Sequence, residues 1–129
     1  MTACLDAWAV VAWLEDGEGS AALERHLASG RCCMSWINAG EVHYVVTRRA
    51  SIAMADRVIS QLRADVELVD ATGGRAIAAA GIKAAHRMSY ADCFAVATAL
   101  EFGVPLLTSD AEILDAAVPG LEVVDLRVP

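Results

Sequence analysis

The sequence lacks the signals of membrane and exported proteins. No apolar run approaches the roughly 18–20 residues that a membrane-spanning helix needs. The first residues show neither the basic segment nor the cleavage motif of a signal peptide. The four cysteines, at positions 4, 32, 33 and 93, fit no zinc-binding spacing. We therefore expect a cytoplasmic protein without membrane association, whose cysteines are buried free thiols.

Common catalytic signatures are also missing. The chain has no glycine-rich phosphate loop, no H-E-x-x-H zinc motif and no G-x-S-x-G nucleophile turn. Its only lysine, Lys83, falls within a predicted helix, whereas a phosphorelay receiver needs a lysine at a strand end near its acids. Asp6 is not followed by the second aspartate of the D-x-D motif of haloacid-dehalogenase-type phosphatases. These classes of enzyme therefore receive little support.

Positive charge is scarce and unevenly placed. The net charge is −7, which argues against loose electrostatic binding to nucleic acid. Residues 42–87 carry seven basic and four acidic side chains, whereas residues 88–129 carry one basic and seven acidic ones. A basic middle beside an acidic end is compatible with a phosphate-contacting flank around an acidic metal site. Mixed, solvated helix faces would give the same pattern.

The order of strands and helices predicts an α/β fold in a single domain, residues 1–129. Strands are predicted at residues 2–5, 31–35, 67–69, 105–107 and 122–126. Helices are predicted at residues 7–14, 20–28, 39–48, 52–62, 73–87 and 90–102, with a short one after residue 110. Strands separated by helices imply right-handed crossovers. We expect a three-layer fold with a mainly parallel central sheet of four to five strands, flanked by helices.

Four acidic residues lie near predicted helix starts, each of which follows an apolar run or the short motif after it. They are Asp6, Glu41, Asp92 and Asp110. In an open α/β sheet, ligands bind in the crevice beyond the carboxyl ends of the strands. Four carboxylates at that edge would form an oxygen-rich cage suited to a hard divalent cation. The hydroxyls of Thr108 and Ser109 are able to orient water or a phosphate oxygen beside the cage.

Each acid also has an ordinary structural explanation. Asp6 and Asp110 can cap the helices that follow them. Residues 38–41 and 89–92 resemble capping boxes, in which an acid stands three residues after the capping residue. Because a helix N-terminus stabilises an ionised carboxylate, a capping role and a metal-binding role are compatible at one residue.

The motifs around these acids resemble those of a PIN-domain ribonuclease, and more closely the toxin half of a VapBC-type toxin–antitoxin pair. The resemblance covers essentially the whole chain. It is carried by LDA at 5–7, NAGEV at 38–42, YADCFAVATA at 90–99 and LTSD at 107–110. The third motif is the most specific of the four.

This resemblance implies a PIN-like fold and an endoribonuclease that cuts cellular RNA with one or two Mg²⁺ or Mn²⁺ ions. It implies Asp6 and Asp92 as principal ligands, with Asp110 and Glu41 completing the cluster directly or through water. The expected products carry a 5′-phosphate and a 3′-hydroxyl. One departure is that many relatives have Ser or Thr directly after the first Asp, where this chain has Ala7.

Partners follow from the same resemblance. It implies a homodimer, and a small antitoxin that covers an apolar groove and reaches the acidic site. The side chains proposed to hold the RNA backbone are Arg48, Arg49, Lys83 and Arg87, with Thr108 and Ser109 beside the site. The alternative is a non-catalytic PIN-like module that binds RNA or acts as a scaffold.

Overall fold

The computed structural model describes residues 1–128, which form five strands and seven helices. The last residue of the predicted domain 1–129 lies outside the described residues. The strands are β1 (Ala3–Leu5), β2 (Cys32–Ser35), β3 (Glu67–Val69), β4 (Leu106–Thr108) and β5 (Val123–Asp125). The helices are α1 (Ala7–Leu14), α2 (Ser20–Ser29), α3 (Trp36–Arg49), α4 (Ile52–Asp65), α5 (Gly73–Ala85), α6 (Tyr90–Phe102) and α7 (Ala111–Ala116).

The five strands form one sheet in the order β3-β2-β1-β4-β5, and every neighbouring pair is parallel. The chain builds outward from β1 through β2 to β3, then returns to add β4 and β5 on the other side of β1. The strand order therefore reverses between β1 and β4. A crevice opens beyond the carboxyl ends of strands at such a reversal, and it is the usual ligand site of open α/β sheets.

Helices cover both faces of the sheet, as the predicted three-layer fold requires. Leu5 and Leu107 pack into one apolar core together with helices α1 to α4. Cys4 and Leu106, one residue earlier in the same strands, pack into the second core with α5, α6 and α7. This alternation follows from the two-residue period of a strand, which sends neighbouring side chains to opposite faces. The predicted α/β class and strand number are confirmed.

Helix α6 is the most deeply buried of the helices described. Its residues 92–99 are all buried, and it contacts β1, β2 and β4 as well as α3 and α5. Small side chains dominate this run, so the helix lies close against the sheet. The placement of α6 fixes the position of whatever stands in its first turn.

Three predicted helix boundaries are wrong by two residues or more, including the end of α4, which lies at Asp65 rather than at residue 62. Helix α3 begins at Trp36 rather than at residue 39, because the Ser35 hydroxyl accepts a hydrogen bond from the Ile37 N–H (3.1 Å) and caps the helix. Asn38, expected to be the cap of a capping box, is buried inside α3 instead, and its Nδ2 donates to the Ala91 carbonyl (2.9 Å). Helix α5 ends at Ala85, two residues earlier than predicted.

All four cysteines are free and buried, as predicted. Within residues 1–128, no helix combines the length and the apolar character that crossing a membrane would take.

Candidate active site

Asp6 stands at the carboxyl end of β1 and caps α1. Its Oδ1 accepts a hydrogen bond from the Ala9 N–H at 2.8 Å, and its Oδ2 accepts one from the Thr108 hydroxyl. The side chain is fully buried, with 0% of its surface exposed. Asp6 therefore has one orientation, fixed by α1 on one side and by β4 on the other.

Thr108 connects the two central strand ends. This buried residue closes β4, and its Oγ1 also accepts a hydrogen bond from the Asp110 N–H at 2.8 Å. Asp110 in turn caps α7, because its Oδ1 accepts from the Glu112 N–H at 2.9 Å. One hydroxyl thus sets the position of Asp6 and Asp110 relative to each other.

Asp92 and Glu41 approach from the helices. Asp92 lies in the first turn of α6, where the Ser89 hydroxyl accepts from the Asp92 N–H at 3.1 Å, as the predicted cap requires. Glu41 lies in the second turn of α3, and its buried Oε1 has no hydrogen-bond partner in the described residues. The bond from Asn38 to the Ala91 carbonyl ties α3 to α6 directly beside these two acids.

A fifth acid joins the cluster. Asp92, Asp110 and Glu112 each offer a carboxylate oxygen, and these three oxygens lie within 4.8 Å of one another. Sequence reasoning missed Glu112, because it is exposed and stands in a helix turn rather than at a strand end. Its position in the first turn of the helix that Asp110 caps was the one signal available.

The family of the chain follows from a match over most of its length: the PIN domain family model covers residues 3–119. The chain belongs to the PIN domain family. No curated protein matches the sequence.

Solved structures share the fold of this PIN domain. A chain of the DNA-bound VapBC complex from Salmonella typhimurium superposes with a TM-score of 0.75 and 19% identity, over 98% of both chains. A sarcin–ricin loop cleaving VapC toxin from Mycobacterium tuberculosis gives 0.74 and 18%, over 94% of this chain and 99% of that one. FitAcB from Neisseria gonorrhoeae gives 0.72 and 17%, over 99% and 100%. At such low identity the likeness concerns the fold.

Within residues 1–128, the five acids of this PIN domain have no cationic partner. Among residues 1–128, every ion pair involves other carboxylates, so none of these five is neutralised by lysine, arginine or histidine. Burial raises the pKa of Asp6 from 3.8 to about 7, and the charges of Asp110 and Asp92 add to the rise, while bonds from Thr108 and Ala9 oppose it. An uncompensated group of buried carboxylates is costly in a folded protein.

The pKa values of Asp92 and Glu41 are raised by the same two causes, burial and neighbouring negative charge. Burial, and then the charge of Asp110, raises the pKa of Asp92 to about 6, with smaller contributions from Glu41 and Glu112 and an opposing bond to Ser89. Burial and Asp110 also raise the pKa of Glu41. The residues present fit a hard divalent cation, since their donors are carboxylate oxygens and one of these, the buried Glu41 Oε1, has no partner among residues 1–128.

The basic side chains singled out from the sequence lie in different surroundings. Arg87 lines a groove with Glu112 and His86, directly beside the acids. The Lys83 amine donates to the Met88 carbonyl at 2.6 Å and so holds the segment that precedes α6. Arg48 and Arg49 lie at the end of α3, where they line a recess together with Trp8 and Tyr44.

The raised pKa values predict that the metal-free protein loses stability as the pH rises. The folded Asp6 and Asp92 carboxyls bind protons up to about pH 7 and 6, whereas in the unfolded chain they release them near pH 4. The folded state therefore binds more protons between pH 4 and 7, and the free energy of unfolding falls across that window. At about 1.4 kcal/mol per pKa unit, the loss amounts to a few kcal/mol.

Urea denaturation in chelator at pH 5, 6 and 8 measures this loss. Asp6→Asn keeps the size of the side chain but cannot ionise, so its unfolding free energy should vary less with pH and exceed that of the natural protein at pH 8. A natural protein that is more stable at pH 8 than at pH 5 would contradict the prediction.

Proposed function

We propose that this protein is a divalent-metal-dependent endoribonuclease, using Mg²⁺ or Mn²⁺, and that it acts as the toxin of a toxin–antitoxin pair. The observation that carries the proposal is the convergence of Asp6, Glu41, Asp92 and Asp110 at the reversal of strand order, without any cation from the described residues to balance them. Membership of the PIN domain family supports nuclease chemistry at this site. The acidic cluster supports the use of a divalent metal.

The proposed roles follow from position. Asp92, Asp110 and Asp6 would hold one or two ions, with Glu41 and Glu112 completing the cluster directly or through water. When bound, the divalent ion offsets negative charge on the phosphate and makes a water more acidic. Thr108 fixes the Asp6 carboxylate, so this ligand does not have to reorganise on binding. Glu41 has a free Oε1 and a raised pKa, which suit it to accept a proton from the attacking water.

The intact acidic cluster distinguishes the nuclease from the alternative, a non-catalytic PIN-like module. A purely scaffolding domain gains nothing from an acidic cluster that has no cationic partner among residues 1–128 and in which burial raises the pKa of Asp6, Asp92 and Glu41. RNA as the substrate is supported by family likeness, and by a structural relative described as cleaving the sarcin–ricin loop. Assays on RNA and DNA of the same sequence separate the two polymers.

The substitution Asp92→Asn should lower metal-dependent RNA cleavage by more than about 100-fold, since loss of even an outer-shell partner of a metal site costs 10–100-fold. The measurement is sequencing of new 5′ ends in total RNA after incubation with Mg²⁺, with Mn²⁺ or with chelator. Glu122→Gln is the matched control. It removes one negative charge at the amino end of β5, whereas the acids lie at the carboxyl ends of the strands.

Discrete ends that need metal and survive in Glu122→Gln, but vanish in Asp92→Asn, would support the proposal. If Asp92→Asn cleaves like the natural protein, the site assignment is wrong. If the natural protein gives no new 5′ ends with either ion, the result favours the non-catalytic PIN-like module.

An antitoxin partner is the second part of the proposal. An apolar groove of about 320 Å³ runs between α1, α3 and α4, with Val11, Leu14, Val45, Met54 and Val58 among its walls. A second, smaller hollow shares Leu14 and Val58 and continues the groove between α1 and α4. Exposed apolar surface of this kind is typical of a protein interface. The solved relatives include toxin–antitoxin complexes, which supports an antitoxin as the occupant.

The groove would receive an amphipathic segment, with Arg49, Glu15 and Arg57 at its polar rim. The groove lies close to the acidic cluster, because its wall residue Val45 follows Glu41 by one turn on α3. A segment in the groove could therefore reach the acidic cluster with a basic side chain and block it.

A homodimer is the third part. Ile77 is 75% exposed on α5, and Gly74 and Gly81 lie on the same helical face with open space around them. This uncovered face supports self-association through α5.

Introducing a charge into the groove should separate toxicity from its neutralisation. Expression of the natural chain should arrest growth, and a genomic library can be screened for clones that restore it. Met54→Asp should still arrest growth but escape rescue by the recovered clone, because a buried unpaired charge costs several kcal/mol at an interface. Ala21→Asp, which places the same charge on the exposed surface of α2, is the control and should be rescued. Rescue of Met54→Asp would exclude this groove.

A further inference from the structure

A second recess lies beside the acidic site, and the proposed roles leave its aromatic walls unused. It measures about 310 Å³ and is lined by Trp8 from α1 and by Tyr44, Val45, Arg48 and Arg49 from α3. The Arg48 guanidinium lies 5.0 Å from the centre of the Tyr44 ring, and that of Arg49 lies 5.7 Å from the Trp8 ring. We call these five residues the aromatic–arginine recess.

Residues of the recess lie on α3, which carries Glu41, and on α1, which Asp6 caps, at short separations in sequence. Tyr44 and Arg48 follow Glu41 by three and seven residues, so all three lie on one face of α3. At 1.5 Å per residue, Arg48 lies roughly 10 Å along the helix from Glu41. Trp8 follows Asp6 by two residues in the first turn of α1. The recess therefore lies about two helical turns from Glu41 along α3 and within the first turn of the helix that Asp6 caps.

Exposure and charge suit this recess to a ligand. Tyr44 is 48% exposed, although a large aromatic ring on a helix surface would gain from being covered. Arg48 is exposed and takes part in none of the ion pairs of residues 1–128, whereas Arg49 is paired with Glu15. The recess thus offers an uncompensated positive charge next to a cluster of negative ones.

Aromatic rings combined with arginine match the chemistry of unpaired nucleotides. Bases that are not in a duplex stack on aromatic or guanidinium planes, and arginine contacts the adjoining phosphates. A protein partner would instead favour the more apolar groove described above, which shares only Val45 and Arg49 with the recess.

We propose that the aromatic–arginine recess binds an unpaired base of the RNA substrate beside the scissile phosphate, with Arg48 contacting a neighbouring phosphate. This inference rests on the proposed ribonuclease function. It makes the protein selective for single-stranded or looped RNA, because a base held in a duplex cannot enter the recess.

The test is the affinity of the cleavage-deficient Asp92→Asn protein for a fluorescein-labelled single-stranded oligoribonucleotide of mixed sequence. Adding Tyr44→Ala should raise Kd at least about fivefold, since stacking of one base contributes roughly 1–3 kcal/mol. Adding Tyr44→Phe, which keeps the ring, should leave Kd within about twofold. The affinity for a perfect RNA duplex should be the same in all three proteins.

Arg48→Ala tests the phosphate contact in the same assay. It should raise Kd and lower the dependence of log Kd on log salt by about one unit. Arg25→Ala removes the same charge from the exposed surface of α2 and should leave that slope unchanged. Thermal unfolding of each variant should match that of Asp92→Asn, because Tyr44 and Arg48 are exposed.

The outcomes distinguish this inference from the function on which it rests. If the natural protein cleaves RNA but Tyr44→Ala binds single strands as tightly as Asp92→Asn, the recess is not a base site and the ribonuclease stands. If the natural protein cleaves nothing while Tyr44→Ala still weakens single-strand binding, the recess stands and the nuclease does not. Absence of any single-strand binding, or a Tyr44→Ala defect confined to antitoxin rescue, would overturn the inference.

Discussion

The hydroxyl of Thr108 lies between two acids that repel each other. It donates to the Asp6 carboxylate and accepts from the Asp110 backbone, and so fixes both at the point where the strand order reverses. This contact depends on the parallel pairing of β1 with β4, in which Leu5 stands opposite Leu107. Asp6 and Asp110 form the fixed centre of the cluster. Asp92, Glu41 and Glu112 lie on helices α6, α3 and α7, which pack around these two strand ends.

Gathering these acids opposes folding. Burial and like charge raise the pKa values of Asp6, Asp92 and Glu41, so the ionised cluster is destabilising in the absence of a cation. The two cores on either face of the sheet must outweigh that cost. A ligand that binds only the folded state adds stability by mass action, so a divalent ion would stabilise the very arrangement that is costly without it. The proposed function and the instability of the site thus have one cause.

Much of the fold could be predicted from the sequence, because strand and helix periods are local. Asp6 and Asp110 could be predicted as neighbours for a similar reason: each follows an apolar run, and parallel strands end at one edge. The start of α3 could not, since Ser35 and Asn38 are both good caps and only tertiary packing buries one of them. Glu112 was missed because its approach to Asp92 depends on how α7 packs.

The aromatic–arginine recess lay beyond sequence reasoning as well. Trp8 and Tyr44 come from helices that are distant in sequence, and neither shows a local pattern that separates a ligand-facing aromatic from one in the core. Arg48 could be named as a phosphate contact from charge alone. The stacking of Arg49 on Trp8, which forms the other wall of the recess, appears only when α1 and α3 are placed side by side.

Titration of the metal-free protein with Mn²⁺ tests most directly whether these carboxylates hold a divalent ion. Calorimetry should show one or two ions bound to the natural protein, and binding at least about tenfold weaker in Asp92→Asn and in Glu112→Gln. Glu122→Gln should bind like the natural protein. Equal Mn²⁺ affinity in all four proteins would contradict the account, because the ion would then bind without the carboxylates of Asp92 and Glu112.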